Sequence, residues 1–493
     1  MALQPDHLLL ALIGCTLGTL IGALPGLGPV NGVALLIPLT FNFDLAPTAA
    51  LILLVSVYYG CMYGGRISSI VLNIPGDEPA LMTTLDGYPM ALKGRGGEAL
   101  ALTAVASFVG GTIATIGLTL LAPLLVQFAI RFGPAEYFAL YALAFATIGG
   151  VTGGSLLKGF IAAGIGLLLG TVGIDPVSGV PRFTFGSYNL YSGIDFVVAL
   201  VGLFAVSECL VFLEQRPDNS RPLIKLGAAL PGVKRSVACA GTIGRGSFIG
   251  FIAGVLPGAG ASLGSFMAYI LEKRWRGNKG DFGNGDPHGV AAPEAGNNAA
   301  AGGALIPMLA LGIPGSGTTA VLLALLLSMN ITPGPLLFDQ QPDMVWGLVA
   351  ALFIANLILL VENIPMVKLF ARILQSPSWL LMPMVVLIAF VGIYSMNHSA
   401  FDLYLMLGFG VLGYVLNKLR IPTVPVVLGL LLGGQMEFNL RRAMAISAGD
   451  WSILVSSPIA IGIYVFAVSL LVAGFVFTLL SRRASKAEIA AAD

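Results

Sequence analysis

Long apolar stretches alternate with short polar ones along the whole chain. A helix needs about 20 apolar residues to cross a bilayer. Candidate segments fall at 8–41, 46–75, 99–130, 137–156, 158–175, 194–213, 243–271, 294–330, 344–364, 379–397, 400–417, 421–434 and 456–480. All are expected to be helical, because lipid offers no partner to the backbone groups of an open sheet edge. Three of them, at 8–41, 243–271 and 294–330, are interrupted by proline and glycine, which cost stability inside a helix. The first interruption, "GALPGLGPVNG" at 22–32, puts two prolines and four glycines inside an apolar run. The expected fold class is an all-α polytopic membrane protein with about 10–12 transmembrane segments.

The interruption has a twin. "GVLPGAGASLG" at 254–264 aligns with it without a gap, 232 positions further on. A second pair follows: "YGGRISSIVLNIPGD" at 63–77 parallels "GGALIPMLALGIPGS" at 302–316, now 239 positions apart. "PLLVQFAIRFGP" at 123–134 resembles "PMVKLFARILQSP" at 365–377. The order is kept, which marks an internal duplication. It divides the chain into a first repeat at 1–214, a link at 215–234, a second repeat at 235–480 and a tail at 481–493.

Charge sets the relation between the halves, because cytoplasmic loops carry excess Lys and Arg. The flanks of the first broken hairpin hold only Asp6 and Asp44. Those of its twin hold Lys234, Arg235 and Arg245, then Lys273, Arg274, Arg276 and Lys279. After the second break the bias reverses, with Lys93 and Arg95 in the first half and Asp339 and Asp343 in the second. Corresponding loops thus fall on opposite sides: two inverted-topology repeats, each with a re-entrant helical hairpin and a broken helix, the N-terminus outside and the link cytoplasmic. The basic tail "SRRASK" at 481–486 does not fit strict inversion and leaves its own side open.

Composition narrows the function. The chain is 57% hydrophobic and 10% charged, with a mean hydropathy of +0.91. A soluble domain carries about 25% charged residues. The net charge of +1 gives nucleic acid no basic footprint. Cys15, Cys61, Cys209 and Cys239 form no CxxC pair, and His7, His288 and His398 show no ligand spacing, so neither a disulfide frame nor a metal site is expected. No cofactor is expected, nor any catalytic constellation. "MALQPDHLLL" lacks the charged start of a secretory signal, so the first apolar segment is expected to be retained.

Inverted repeats with paired helix breaks point to a secondary transporter. Breaks supply half-helix ends, whose N-termini suit carboxylates and whose freed carbonyls suit Na⁺. The candidate binding residues are therefore the two hairpin tips, Pro25, Gly26, Gly28 and Asn31 with Pro257, Gly258, Gly260 and Ser262. The second breaks add Asn73, Pro75 and Gly76, next to Asp77 and Glu78, and Pro314, Gly315, Ser316, Gly317, Thr318 and Thr319. The two halves differ chemically, with carboxylates in one and hydroxyls in the other. Glu294, Asn297 and Asn298 are expected at the start of an apolar helix, Glu294 complementing its N-terminus and the amides lining the pathway. Arg66 is the only basic residue in "YYGCMYGGRISSIVLNI". An intramembrane Arg either binds a substrate carboxylate or serves a structural pair.

"GALPGLGPVNGVALLIPLTF", "GVLPGAGASLGSFMAYILEK" and "GVAAPEAGNNAAAGGALIPMLALGIPGSGTTAVLLALLL" resemble the large membrane subunit of tripartite tricarboxylate transporters, the TctA family. "LNIPGDEPALMTTLDGYPMALKGRGGEAL" and "ITPGPLLF" fit it too. The resemblance covers almost the whole chain, and its repeated PGxG falls on Pro25–Gly28 and Pro257–Gly260. It implies a permease of the bacterial inner membrane that works with a small membrane subunit and a periplasmic solute-binding protein. It further implies uptake of tricarboxylates or other organic carboxylates, with Na⁺ or H⁺ as coupling ion. A stand-alone symporter, or a channel built from broken hairpins, remains the alternative.

Overall fold

The computed structural model describes residues 2–24, 26–151, 156–214, 227–258, 260–366, 369 and 378–472. Pro25, most of the 215–234 link, most of 365–377 and the 481–493 tail lie outside the described residues. In chain order the helices are α1 (Pro5–Ala23), α2 (Gly28–Asn42), α3 (Pro47–Leu72), α4 (Leu81–Met90), α5 (Gly96–Ala129), α6 (Pro134–Val151) and α7 (Leu156–Gly170). Then come α8 (Phe196–Val201), α9 (Ser207–Glu214), α10 (Leu230–Ala238), α11 (Ala240–Val255), α12 (Gly260–Arg276), α13 (Pro287–Gly303), α14 (Leu305–Leu311), α15 (Gly317–Ser328), α16 (Leu337–Gln340) and α17 (Pro342–Asn363). The last are α18 (Ser378–Asn397), α19 (Ala400–Lys418), α20 (Val424–Ile446) and α21 (Pro458–Val472). Proline opens several of them, where its missing N–H costs nothing.

Among the described residues six helices are long and apolar enough to cross a membrane, or seven if the bent pair α10–α11 is one span. That is fewer than the expected segments. The difference lies in the breaks, which cut apolar runs into pieces such as α14 and α15 that are too short alone. The run 294–330 departs furthest from expectation. Its helix starts earlier, at Pro287, where the Asp286 carboxylate accepts the His288 amide at 2.9 Å. Pro293 is carried inside α13. Glu294, Asn297 and Asn298 therefore sit in mid-helix, and Glu294 does not complement a helix N-terminus.

The described residues form two compact units. One is built from 1–130 and 197–414, the other from 131–196 and 415–493. Each takes one portion from either half of the chain.

In the first unit α1 lies along α3, and α11 along α13, at backbone contact. A Cβ on Gly18 would stand 2.3 Å from the Val57 carbonyl oxygen, and one on Gly22 2.2 Å from that of Cys61. In the second pair the same distances are 2.1 Å for Gly250 to Gly296 and 2.2 Å for Gly254 to Ala300. The matched residues are 232 apart in one helix and 239 in the other, the two offsets of the sequence duplication. Small residues let such helices pack where lipid supplies no hydrophobic drive. Ile67, Ile70, Leu100, Leu102, Ile243, Val290 and Ala295 fill the core between α3, α5, α11 and α13. Within it α3 and α13 cross antiparallel. Tyr58 near the middle of α3 donates to the Ala301 carbonyl late in α13, at 3.3 Å, whereas Ile70 late in α3 and Val290 early in α13 both border Gly87.

The second unit packs α7 on α20, which is longer than the expected 421–434 segment and ends in a polar half. The antiparallel strands β1 (Gly173–Ile174) and β2 (Pro181–Arg182) follow α7. Asp175 Oδ1 accepts the Val177 amide at 2.8 Å and the Ser178 amide at 3.2 Å, and Arg441 Nη2 reaches Oδ2 at 2.8 Å. The Val177 amide, then Ser178 and the Arg441 guanidinium, push this carboxyl down to about 2. Its contribution is thus present above the usual carboxylate range near pH 4 and is lost as pH falls towards 2. Asp175→Asn is expected to speed amide exchange across 173–182 at neutral pH. An unchanged exchange profile would show that the turn does not depend on the charge.

Candidate functional site

The two tips are built alike. Each hairpin joins its helices through an extended leucine, Leu24 or Leu256, followed by two glycines with positive φ. These are Gly26 (90°) and Gly28 (56°) in the first, and Gly258 (77°) and Gly260 (63°) in the second. Side chains rarely adopt this left-handed conformation, so the turn itself requires glycine. The hairpin character of α11–α12 is fixed at its open end, where Arg245 and Glu272 pair at 2.7 Å.

Each tip rests on the break of its own half. A Cβ on Gly28 would lie 3.6 Å from Asp77 Cβ, and one on Gly260 the same 3.6 Å from Ser316 Cβ. Asn73 and Gly312, at the ends of α3 and α14, both cap their helices in the left-handed region. The halves also join across the site. Ser262 Oγ donates to Glu78 Oε2 at 3.2 Å, and Ser265 Oγ to the Pro79 carbonyl at 2.7 Å. Helix α2 packs on α15. Four chain breaks far apart in sequence thus gather in one place inside the first unit.

Their chemistry is unequal. The first tip faces acids: Glu208 Oε1 stands 2.7 Å from a Cβ position on Gly26, Asp77 lies beside Gly28, and Glu78 is exposed nearby. Asp77 Oδ1 accepts the Ala80 amide at 3.0 Å, while its Oδ2 is inaccessible and has no partner. The second tip faces hydroxyls and two helix starts, those of α12 and α15. Ser316 and Thr319 form a reciprocal capping box, Thr319 Oγ1 accepting the Ser316 amide at 2.8 Å and Ser316 Oγ the Thr319 amide at 3.2 Å. Such caps are worth about 0.5–2 kcal/mol, so part of the hydroxyl chemistry is spent on starting α15. Thr318 is buried, and Asn31 turns inward, its amide donating to the Gly26 carbonyl at 3.1 Å.

Pro75, Gly76, Pro257, Pro314, Gly315 and Gly317 shape the same turns. A Cβ on Gly76 would stand 2.2 Å from the Gly22 carbonyl oxygen, and one on Gly315 2.7 Å from the Ala304 Cα. Asn297 is fully buried, and neither end of its amide has a partner. Asn298 bonds back to the Glu294 carbonyl at 3.1 Å.

Arg66 is placed differently. It is fully buried, and its fork is held by the protein: Nε by the Tyr63 carbonyl at 2.8 Å, Nη1 by Thr103 Oγ1 at 3.1 Å and Nη2 by Asn363 Oδ1 at 3.0 Å. Glu294 is the acid whose charge acts on it without a direct ion pair, and it is itself bonded by Thr83 at 2.5 Å and Ser107 at 3.2 Å. This geometry favours the structural side of the choice the sequence left open. Sequence reasoning missed Glu208 and Asp86. An acid inside the apolar run 194–213 was the available signal for Glu208. Asp86 is buried and gathers the amides of Gly283, Gly285 and Asp286 at 2.8–2.9 Å, tying α4 to the loop before α13.

The fold is that of a multi-pass, all-α membrane protein. The chain belongs to the tripartite tricarboxylate transporter TctA family, which it matches over residues 8–428. This is a family of transporters rather than enzymes. The chain is 40% identical over 485 residues, 98% of its length and 96% of the relative's, to an "uncharacterized 52.8 kDa protein in TAR-I ttuC' 3'region" of Agrobacterium vitis. It is 43% identical over 211 residues to an "uncharacterized protein in TAR-II ttuC' 3'region" of the same organism, covering 43% of this chain and 87% of that one. No solved structure matches it.

Proposed function

We propose that this protein carries out secondary-active uptake of tricarboxylates or related organic carboxylates across the bacterial inner membrane. A Na⁺ or H⁺ gradient drives the uptake, and a periplasmic binding protein delivers the substrate. A small membrane subunit completes the system, as the family's tripartite character implies. The observation that carries this reading is that two like tips each rest on the break of their own half, with the Ser262–Glu78 hydrogen bond joining the halves. At the second tip, helix starts and the Ser316 hydroxyl suit a carboxylate, and the Ser262 hydroxyl would turn from Glu78 to join it. At the first, Asp77, Glu78 and Glu208 suit a coupling cation or proton. Co-binding of the two brings opposite charges together, which makes one favour the other. The antiparallel crossing of α3 and α13, with matched residues at constant offsets, supports an inverted repeat.

The test is uptake of a labelled tricarboxylate by proteoliposomes holding both membrane subunits, with the binding protein added outside. Saturable uptake that needs an imposed Na⁺ or proton gradient is expected, and no uptake without the binding protein. Undiminished uptake by the large subunit alone would replace the tripartite reading with a stand-alone symporter. An ohmic current independent of any gradient coupling would replace transport with a channel.

A further inference from the structure

The open end of the second hairpin carries features that the transport site does not use. Helix α10 is amphipathic and meets α11 at 74°. A helix that turns nearly flat where an apolar hairpin begins marks the membrane–water boundary. Lys234 and Arg235 on α10 and Lys273, Arg274, Arg276 and Lys279 around the end of α12 make that boundary strongly basic. At the same level a pocket of about 510 Å³ opens between α11 and α12. Its walls are Phe248, Ile249 and Leu271, and its rim is Arg245, Arg274 and Trp275.

The rim is unevenly neutralised. Glu272 is taken by Arg245 at 2.7 and 2.9 Å and by Thr242 at 2.8 Å. The Arg245 guanidinium also sits 5.3 Å from the centre of the Trp275 ring. Arg274 is exposed and makes no hydrogen bond or ion pair with the described residues. Trp275 is 75% exposed and Phe248 63%. A free guanidinium, an indole at headgroup level and an apolar cavity below them match an acidic headgroup with an acyl chain.

We propose that this pocket binds an anionic glycerophospholipid of the surrounding bilayer. Its phosphate lies on Arg274, its glycerol region against Trp275 and one acyl chain along Phe248, Ile249 and Leu271. Arg245 shapes the floor and stays with Glu272. A soluble phosphate would find the charge but leave the apolar cavity unfilled.

Native mass spectrometry of the full chain in detergent tests this, titrating phosphatidylglycerol against phosphatidylcholine of identical chains. Phosphatidylglycerol is expected to bind about fivefold tighter, the factor for one surface arginine at about 1 kcal/mol. Arg274→Gln should remove the preference, whereas Lys279→Gln, outside the pocket, should keep it. Glycerol phosphate without chains should not displace the lipid. As a second readout, brominated phosphatidylglycerol should quench wild-type tryptophan fluorescence more than that of Trp275→Phe. Equal binding of the two lipids, a preference that survives Arg274→Gln, displacement by glycerol phosphate, or equal quenching in Trp275→Phe would each overturn the proposal.

Discussion

Asp77→Asn is expected to lower gradient-driven uptake about 10- to 100-fold while leaving the amount of folded protein unchanged. The asparagine keeps the oxygen that accepts the Ala80 amide and replaces Oδ2, the atom without a partner. The fold therefore loses no hydrogen bond, and only the charge is removed. A contact to a charged group is worth about 1.5–3 kcal/mol, and each 1.4 kcal/mol is tenfold, which sets the range. If Asp77 serves the coupling cation, the residual uptake should also respond less steeply to the imposed gradient. Wild-type uptake with wild-type gradient dependence in Asp77→Asn would take this acid out of the transport site. Glu78→Gln is a useful companion, because Glu78 is exposed and holds Ser262 across the two halves.

The second large effect concerns folding. Arg66→Leu should cut the yield of monodisperse protein several-fold. It removes the partner of Asn363 and Thr103 and leaves the buried Glu294 with two hydroxyls and no facing cation. Arg66 and Glu294 form no direct ion pair, but a buried charge left without its countercharge is costly, whereas replacing both members by apolar or neutral groups is often close to neutral. Arg66→Leu combined with Glu294→Gln should therefore recover much of the yield, and the double-mutant cycle isolates the coupling. A single Arg66→Leu that is fully folded but binds substrate poorly would reverse the assignment and make Arg66 a ligand. Arg66→Lys is not a conservative control, since an ammonium cannot reproduce the fork that spans Tyr63, Thr103 and Asn363.

The breaks themselves were legible in the chain. "LPGLG" and "LPGAG" place glycine where φ is positive; that Gly18 and Gly250, at the same offset, meet α3 and α13 alike is seen only in the fold. Helix starts were less legible. Pro293 reads as a breaker, yet α13 passes through it, because the Asp286 cap and packing on α11 and α5 outweigh one missing hydrogen bond. Ser316 and Thr319 read as ligands, but they first satisfy each other at the start of α15. Asp86 was passed over because nothing local marks it, and Glu208 although it is an acid inside an apolar run. What gives each its meaning is a glycine or a set of amides about 180 to 200 positions away.

By itself the sequence determined that this protein is helical and membrane-spanning, and that glycines break its helices at the two hairpin turns. Those properties follow from apolar run length and from the backbone limits of proline and glycine, both of which are local. The tertiary structure alone decided that the four breaks converge, that Glu208 stands against the first tip, that Glu78 bonds Ser262 across the halves, and that the Arg66 fork is occupied within the protein. A side chain's role in a low-dielectric interior depends on which distant groups satisfy it, and only the packed chain brings those groups within bonding distance.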